Sequence, residues 1–92
     1  MTPMRESTVE AHLLKRVKAL GGEARKVSWA GRRGAPDRLV LLPFAKAHVF
    51  VELKRPDKDA EAHQAREHER LRNAGFVVLV LDTIEKIDEV FA

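Results

Sequence analysis

The sequence predicts an α/β fold: a mixed β-sheet flanked by helices, with elements in the order αβββαβα. Three observations predict it. Val9, Leu13, Val17 and Leu20 recur at spacings of four, four and three, which draws one face of an amphipathic helix. Short apolar runs follow, stopped by Gly or Pro as strands are. The last two are separated by a polar stretch without a helix breaker, suited to carry the chain over a sheet as a crossover.

Taken in order, the first helix spans Thr8 to Leu20 and ends at Gly21-Gly22. Ala24 to Ala30 alternates Val27 and Trp29 and reads as a strand. Gly31-Arg32-Arg33-Gly34-Ala35-Pro36 is a loop, because glycine frees the backbone and proline blocks a helix. Arg38 to Leu42 is a short strand stopped by Pro43. Ala47 to Lys54 is another, rich in β-branched and aromatic residues, and Pro56 limits its extension. Asp59 to Ala74 is read as a helix closed by Gly75, with Gln64, His68 and Leu71 along its inner line. Phe76 to Leu81 is apolar on both faces, which predicts a buried interior strand. Asp82 or Thr83 then caps a last helix that turns Ile84, Ile87 and Phe91 inward.

A length of 92 residues predicts a single domain, 1–92, with a modest core. The absence of cysteine excludes disulfides, thiol catalysis, Cys-ligated zinc and iron–sulfur clusters, and fits a reducing compartment. The longest apolar run, Phe76 to Leu81, is too short to span a membrane. Met1 to Glu10 lacks the apolar core of a signal peptide, so a cytoplasmic protein is expected. The net charge of +3 is unevenly spread: residues 1–58 carry +7 and residues 59–92 carry −4. A basic front suggests a polyanionic partner, although solvated charged helices produce the same asymmetry. The acidic remainder is expected on two helices that face solvent behind the sheet.

Chemistry is concentrated on two of the strands. Side chains alternate along a strand, so Glu52 and Lys54 project from the same face of Ala47 to Lys54. Alone, such a pair also serves to discourage aggregation at a sheet edge. Asp37 opens the preceding strand, and sequential strands usually pair, which brings the two carboxylates side by side. Close carboxylates repel unless a cation neutralises them, and an oxygen-only set suits Mg²⁺, which keeps several waters. Lys54 then stands where it can hold an attacking water or stabilise charge on a phosphate. Glu10 has two readings: a capping box with Ser7, or an acid bordering the same site. Gln64 is either a satisfied polar core residue or a residue facing the cleft. His12, His48, His63 and His68 lack zinc-like spacing and are read as structural or surface residues.

Pro36-Asp37 followed by Glu52-Leu53-Lys54 on the next strand resembles the PD-(D/E)XK nuclease signature. With Gly34, a preceding helical Glu10 and a following helical Gln64, the chain resembles its VRR-NUC (virus-type replication-repair nuclease) branch, in the stand-alone phage form, from about Ser7 to Val80. The resemblance implies a restriction-endonuclease-like core. It implies Asp37, Glu52 and the Leu53 backbone carbonyl as metal ligands, with Lys54 the catalytic lysine. It also implies Glu10 as a supporting acid, directly or through water, and Gln64 as an orienting residue. The implied reaction is Mg²⁺- or Mn²⁺-dependent hydrolysis of DNA phosphodiesters, by homodimers that resolve four-way (Holliday) junctions in replication, repair and recombination. No nucleotide cofactor is expected. Relatives often carry Ser or Thr as the helix cap after the lysine; here Asp57 or Asp59 is available instead.

Arg32 and Arg33 lie on the loop leading into Asp37 and are read as phosphate contacts, with Arg25, Lys26 and Arg38 extending the patch. Phe44 is a candidate for a dimer interface. Two competing readings are a catalytically inactive nuclease fold that only binds DNA, and a structural or protein-interaction domain.

Overall fold

The computed structural model describes residues 4–43 and 48–92. Its elements are α1 (Glu6–Ala19), β1 (Glu23–Lys26), β2 (Arg38–Leu41), β3 (Val49–Leu53), α2 (Ala62–Asn73), β4 (Val77–Leu81) and α3 (Ile84–Val90). The predicted order αβββαβα is therefore the observed one. The sheet runs β1-β2-β3-β4. Its first three strands form an antiparallel meander, and α2 carries the chain over to β4, which lies parallel to β3.

Helical and strand periods together build the core. Val9, Leu13 and Val17 of α1 are fully buried against Val40, Val51, Leu53 and Leu81 of the sheet, with Ile87 and Phe91 beside them. Full burial of each such side chain is worth about 1.5–3 kcal/mol. α1 and α3 thus share one face of the sheet. Strand alternation sends Phe50 and Glu52 to the opposite face, where α2 lies, so the sheet is sandwiched between helices. Phe50 is wedged edge-on between Trp29 and Phe76, with centroids 6.3 and 5.5 Å away.

Several element boundaries differ from expectation. α1 begins at Glu6 and its N-cap is Arg5, without a side-chain cap bond, so the Ser7–Glu10 capping box does not form. Ser7 falls inside the first turn, and Glu10 turns to another partner. β1 starts one residue earlier than expected and stops at Lys26, because the β1–β2 pairing ends at Lys26 opposite Arg38. Val27 and Trp29 therefore lie beyond the strand. α2 is capped by Glu61 and not by Asp57 or Asp59: the Glu61 N–H donates to Gln64 Oε1 at 2.9 Å. α3 is capped by Thr83, whose Oγ1 accepts from the Lys86 N–H at 3.1 Å.

β4 is an edge strand, although its sequence predicts an interior one. Its apolar residues are used against helices on both faces, while Phe76 and Val77, at its start, are 49% and 43% exposed. The predicted strand start at Ala47 and the interface residue Phe44 lie outside the described residues. Among the described residues, no helix is long and apolar enough to cross a membrane.

Candidate active site

The site follows from the register of β2 and β3. Their last paired residues are Arg38 and Val51. One step further on, the same register sets Asp37 opposite Glu52, on one face of the sheet, where facing side chains lie closest. Here the strands part. Asp37 Oδ2 accepts the Leu53 N–H at 2.7 Å, taking the bond that a β2 backbone carbonyl would otherwise make. The N–H and C=O of one strand residue point to the same side, so the Leu53 carbonyl opens toward Asp37. Lys54, next along, turns its N–H the other way, to the Leu81 carbonyl at 3.1 Å.

A cleft of about 320 Å³ lies at this open end, lined by Glu6, Ser7, Glu10, Lys26, Val27, Asp37 and Leu53. A second hollow is bordered by Glu6, Lys54, Arg55, Asp57, Lys58 and the approach to α2. Glu6 belongs to both.

Glu52 stands behind Asp37 with its side chain only 2% exposed. Its Oε2 accepts from Gln64 Nε2 at 2.9 Å and lies 3.6 Å from Lys54 Nζ. Its Oε1 has no hydrogen-bond partner and faces His68 Nε2 at 3.5 Å, an atom equally buried and unpartnered. Burial pushes the Glu52 carboxyl up to about 8; the charge of Asp37 acts in the same direction, against the opposing pull of Lys54. Burial, with Arg72 and Lys54 nearby, holds the His68 imidazole below its ordinary value. Gln64 is satisfied at both ends: its oxygen completes the start of α2 while its amide nitrogen holds Glu52.

This arrangement fits a hard divalent cation. A buried carboxylate oxygen lacks a partner, a second carboxylate raises the cost of ionising it, and a backbone carbonyl opens on the same side. Among the described residues no three His, Asp or Glu side chains group into a ready-made cage. A sparse oxygen set completed by water is characteristic of Mg²⁺ and unlike zinc.

The basic residues are divided among different tasks. Arg38 is 12% exposed and turned to the α1 face, where Nε donates to Glu10 Oε2 at 3.1 Å and Nη1 to the Ala24 carbonyl at 2.9 Å. It thus ties β2 to α1 and anchors Glu10 at the cleft wall. Arg32 pairs with Glu67 Oε1 at 3.0 Å, which pins the loop before Asp37 onto α2 while leaving half of the arginine exposed. Gly34 makes this docking possible: its φ is +92°, and a Cβ there would stand 2.7 Å from the His63 carbonyl oxygen. Arg25 pairs with Glu23 on the edge strand β1. Lys26 lines the cleft, and Arg33 is exposed on the loop.

Three residues near the site were not singled out for it in the sequence. Glu6 lines both hollows, and its charge also raises the Glu52 carboxyl. Glu67 is a buried acid held by Arg32 and Arg70. His68 touches Glu52. Glu67 and His68 follow Gln64 by three and four residues, the spacing that shares a helical face, and that spacing is the signal available in the sequence.

No protein-family model matches the chain. A curated relative, "Putative nuclease p44" of Acyrthosiphon pisum secondary endosymbiont phage 1, is 47% identical over 83 residues, covering 90% of this chain and 88% of its own. A solved structure described as a VRR_NUC domain superposes with a TM-score of 0.85 at 42% identity, covering 92% of this chain and 91% of the other. The fold and both relatives agree, and the chain belongs to the VRR-NUC family of nucleases.

Proposed function

We propose that this nuclease is a Mg²⁺- or Mn²⁺-dependent DNA endonuclease that acts as a homodimer on branched DNA, four-way junctions above all, in the cytoplasm during replication, repair or recombination. The observation that carries the reading is the placement of Asp37 against the buried Glu52, with Lys54 beside them, where β2 and β3 part.

Asp37, Glu52 and the Leu53 carbonyl are the groups that would hold the cation, with Glu10 supporting it directly or through water. When bound, the cation supplies Lewis-acid polarisation of the phosphate and a more acidic water. The protein's own residues do the rest. Gln64 orients Glu52 by its 2.9 Å bond. Lys54, 14% exposed, holds an ammonium beside the carboxylates and offers it to the attacking water or to negative charge building on the phosphate. Lys26 on the cleft wall and Arg33 on the loop meet flanking phosphates, and the free half of Arg32 adds to them. Arg25 lies farther out on β1. Arg38, committed to Glu10, supports the cleft wall.

One copy supplies one Asp37–Glu52 site, whereas symmetric cutting of a junction needs two, which a two-fold dimer provides. The test is cleavage of a labelled four-way junction and a linear duplex with Mg²⁺, Mn²⁺ or EDTA. Cutting with either metal, none in EDTA, and preference for the junction are expected. Equal cutting in EDTA refutes metal dependence, and DNA binding without cutting under any condition points to an inactive binding module. Sedimentation at micromolar concentration is expected to give a dimer; a monomer contradicts that part.

A further inference from the structure

Glu52 is approached from two points on α2. Gln64 and His68 are four residues apart, one helical turn, so both side chains descend on the same carboxylate. Gln64 Nε2 bonds Oε2 at 2.9 Å. His68 Nε2 faces Oε1 at 3.5 Å, and neither atom has another partner. Glu52 and His68 are each 1% exposed, so water does not supply one readily. A buried nitrogen and a buried oxygen that face each other unpaired are uncommon in folded proteins, and 3.5 Å is a few tenths of an ångström beyond an ordinary N–H···O contact.

We propose that His68 is a positioning residue: its Nε2–H is the second anchor of Glu52 and fixes which edge of the carboxylate is turned toward Asp37. The proposal rests on the reading of Asp37 and Glu52 as cation ligands. With Oε2 held by Gln64 and Oε1 by His68, the carboxylate plane cannot rotate about its last torsion. Each carboxylate oxygen has a further lone pair, so two neutral donors on α2 leave Glu52 able to ligate from a fixed direction. Lys54 cannot replace His68 here, since it approaches the Oε2 side. Hydrogen-bonding partners of this kind behind a ligand typically change metal affinity by about 10–100-fold when removed.

The experiment combines two measurements on the full chain. Long-range ¹H–¹⁵N NMR of the metal-free protein, at a pH above the Glu52 value of about 8 so that the carboxylate is ionised, reads the imidazole tautomer, and the proton is expected on Nε2; a proton on Nδ1 alone overturns the proposal. Calorimetry with Mn²⁺ then compares the native protein with His68→Leu and His68→Gln, each checked for folding by its thermal transition. His68→Leu is expected to weaken Mn²⁺ binding by about tenfold or more. His68→Gln, which can place an amide N–H where Nε2 stood, is expected to restore most of it. Native-like binding by a folded His68→Leu overturns the role of His68 and leaves the cation reading intact. If His68→Leu does not fold, loss of binding in a folded His68→Gln overturns the proposal instead. Absence of Mn²⁺ binding to the native protein overturns the cation reading and the proposal with it.

Discussion

Glu52 is ionised at a cost. Its carboxyl is raised to about 8 by burial and by Asp37, so between roughly pH 4.5 and 8 the folded, metal-free chain holds a proton that the unfolded chain has released. Stability contributed by this group is complete below the unfolded value and is lost as pH rises through the folded one. The thermal transition in EDTA is therefore expected to fall across that window, and Glu52→Gln is expected to flatten the fall while abolishing cleavage. An equally steep fall in the variant contradicts the assignment. Arg38 and Arg33 make a second contrast. Arg38→Met removes bonds to Glu10 and the Ala24 carbonyl and is expected to cost about 1–3 kcal/mol of stability in a denaturant titration. Arg33→Ala is expected to leave stability unchanged and to reduce the salt dependence of DNA binding by about one counterion. The reverse pattern would sink both assignments. Asp37 and Glu52 were legible because alternation and sequential pairing are local rules. The same alternation turns Arg38 away from Asp37, a consequence that a reading of charge alone passes over. The partner of Arg32 was not legible, since Glu67 meets it only through the packing of α2.

Elements were read more securely than their ends. The apolar period of α1 and the crossover through α2 are strong signals, and both helices form in those stretches, although α2 starts at Ala62 and not at the expected Asp59. The start of α1 was misplaced because Ser7 and Glu10 match a cap by spacing, whereas the helix begins earlier and Glu10 is drawn to Arg38. The sequence predicts an interior β4 because an apolar run reports burial and does not report position in the sheet; helices on both faces bury an edge strand nearly as well. The loop from Gly31 to Asp37 depends on its seat against α2. Gly34→Ala combines an unfavourable φ with a 2.7 Å approach to the His63 carbonyl. It is expected to destabilise the fold by about 2 kcal/mol or more, seen as a lower denaturation midpoint, and to reduce cleavage as Asp37 shifts. A fully stable, fully active variant contradicts the role given to that contact.

Across the molecule, the charge division along the chain does not become a division in space. α2, within the acidic stretch, lies beside the site and supplies Gln64 to it, while α3 packs with α1 on the opposite face. The basic front is likewise interrupted, since Arg38 and half of Arg32 are committed to acids. What composition conveyed was a small basic chain without cysteine; the nuclease reading rested on Asp37, Glu52 and Lys54 and on the family they resemble. What it could not convey was which charges meet solvent, because that depends on pairing across elements distant in sequence. Every role assigned to the site requires that Asp37 and Glu52 jointly hold a divalent cation. Anomalous diffraction from crystals soaked in Mn²⁺ tests it most directly. A peak contacting both carboxylates and the Leu53 carbonyl, at about 2.0–2.3 Å from each oxygen, is the predicted result; a protein that takes up no Mn²⁺ there, or binds it only elsewhere, contradicts it.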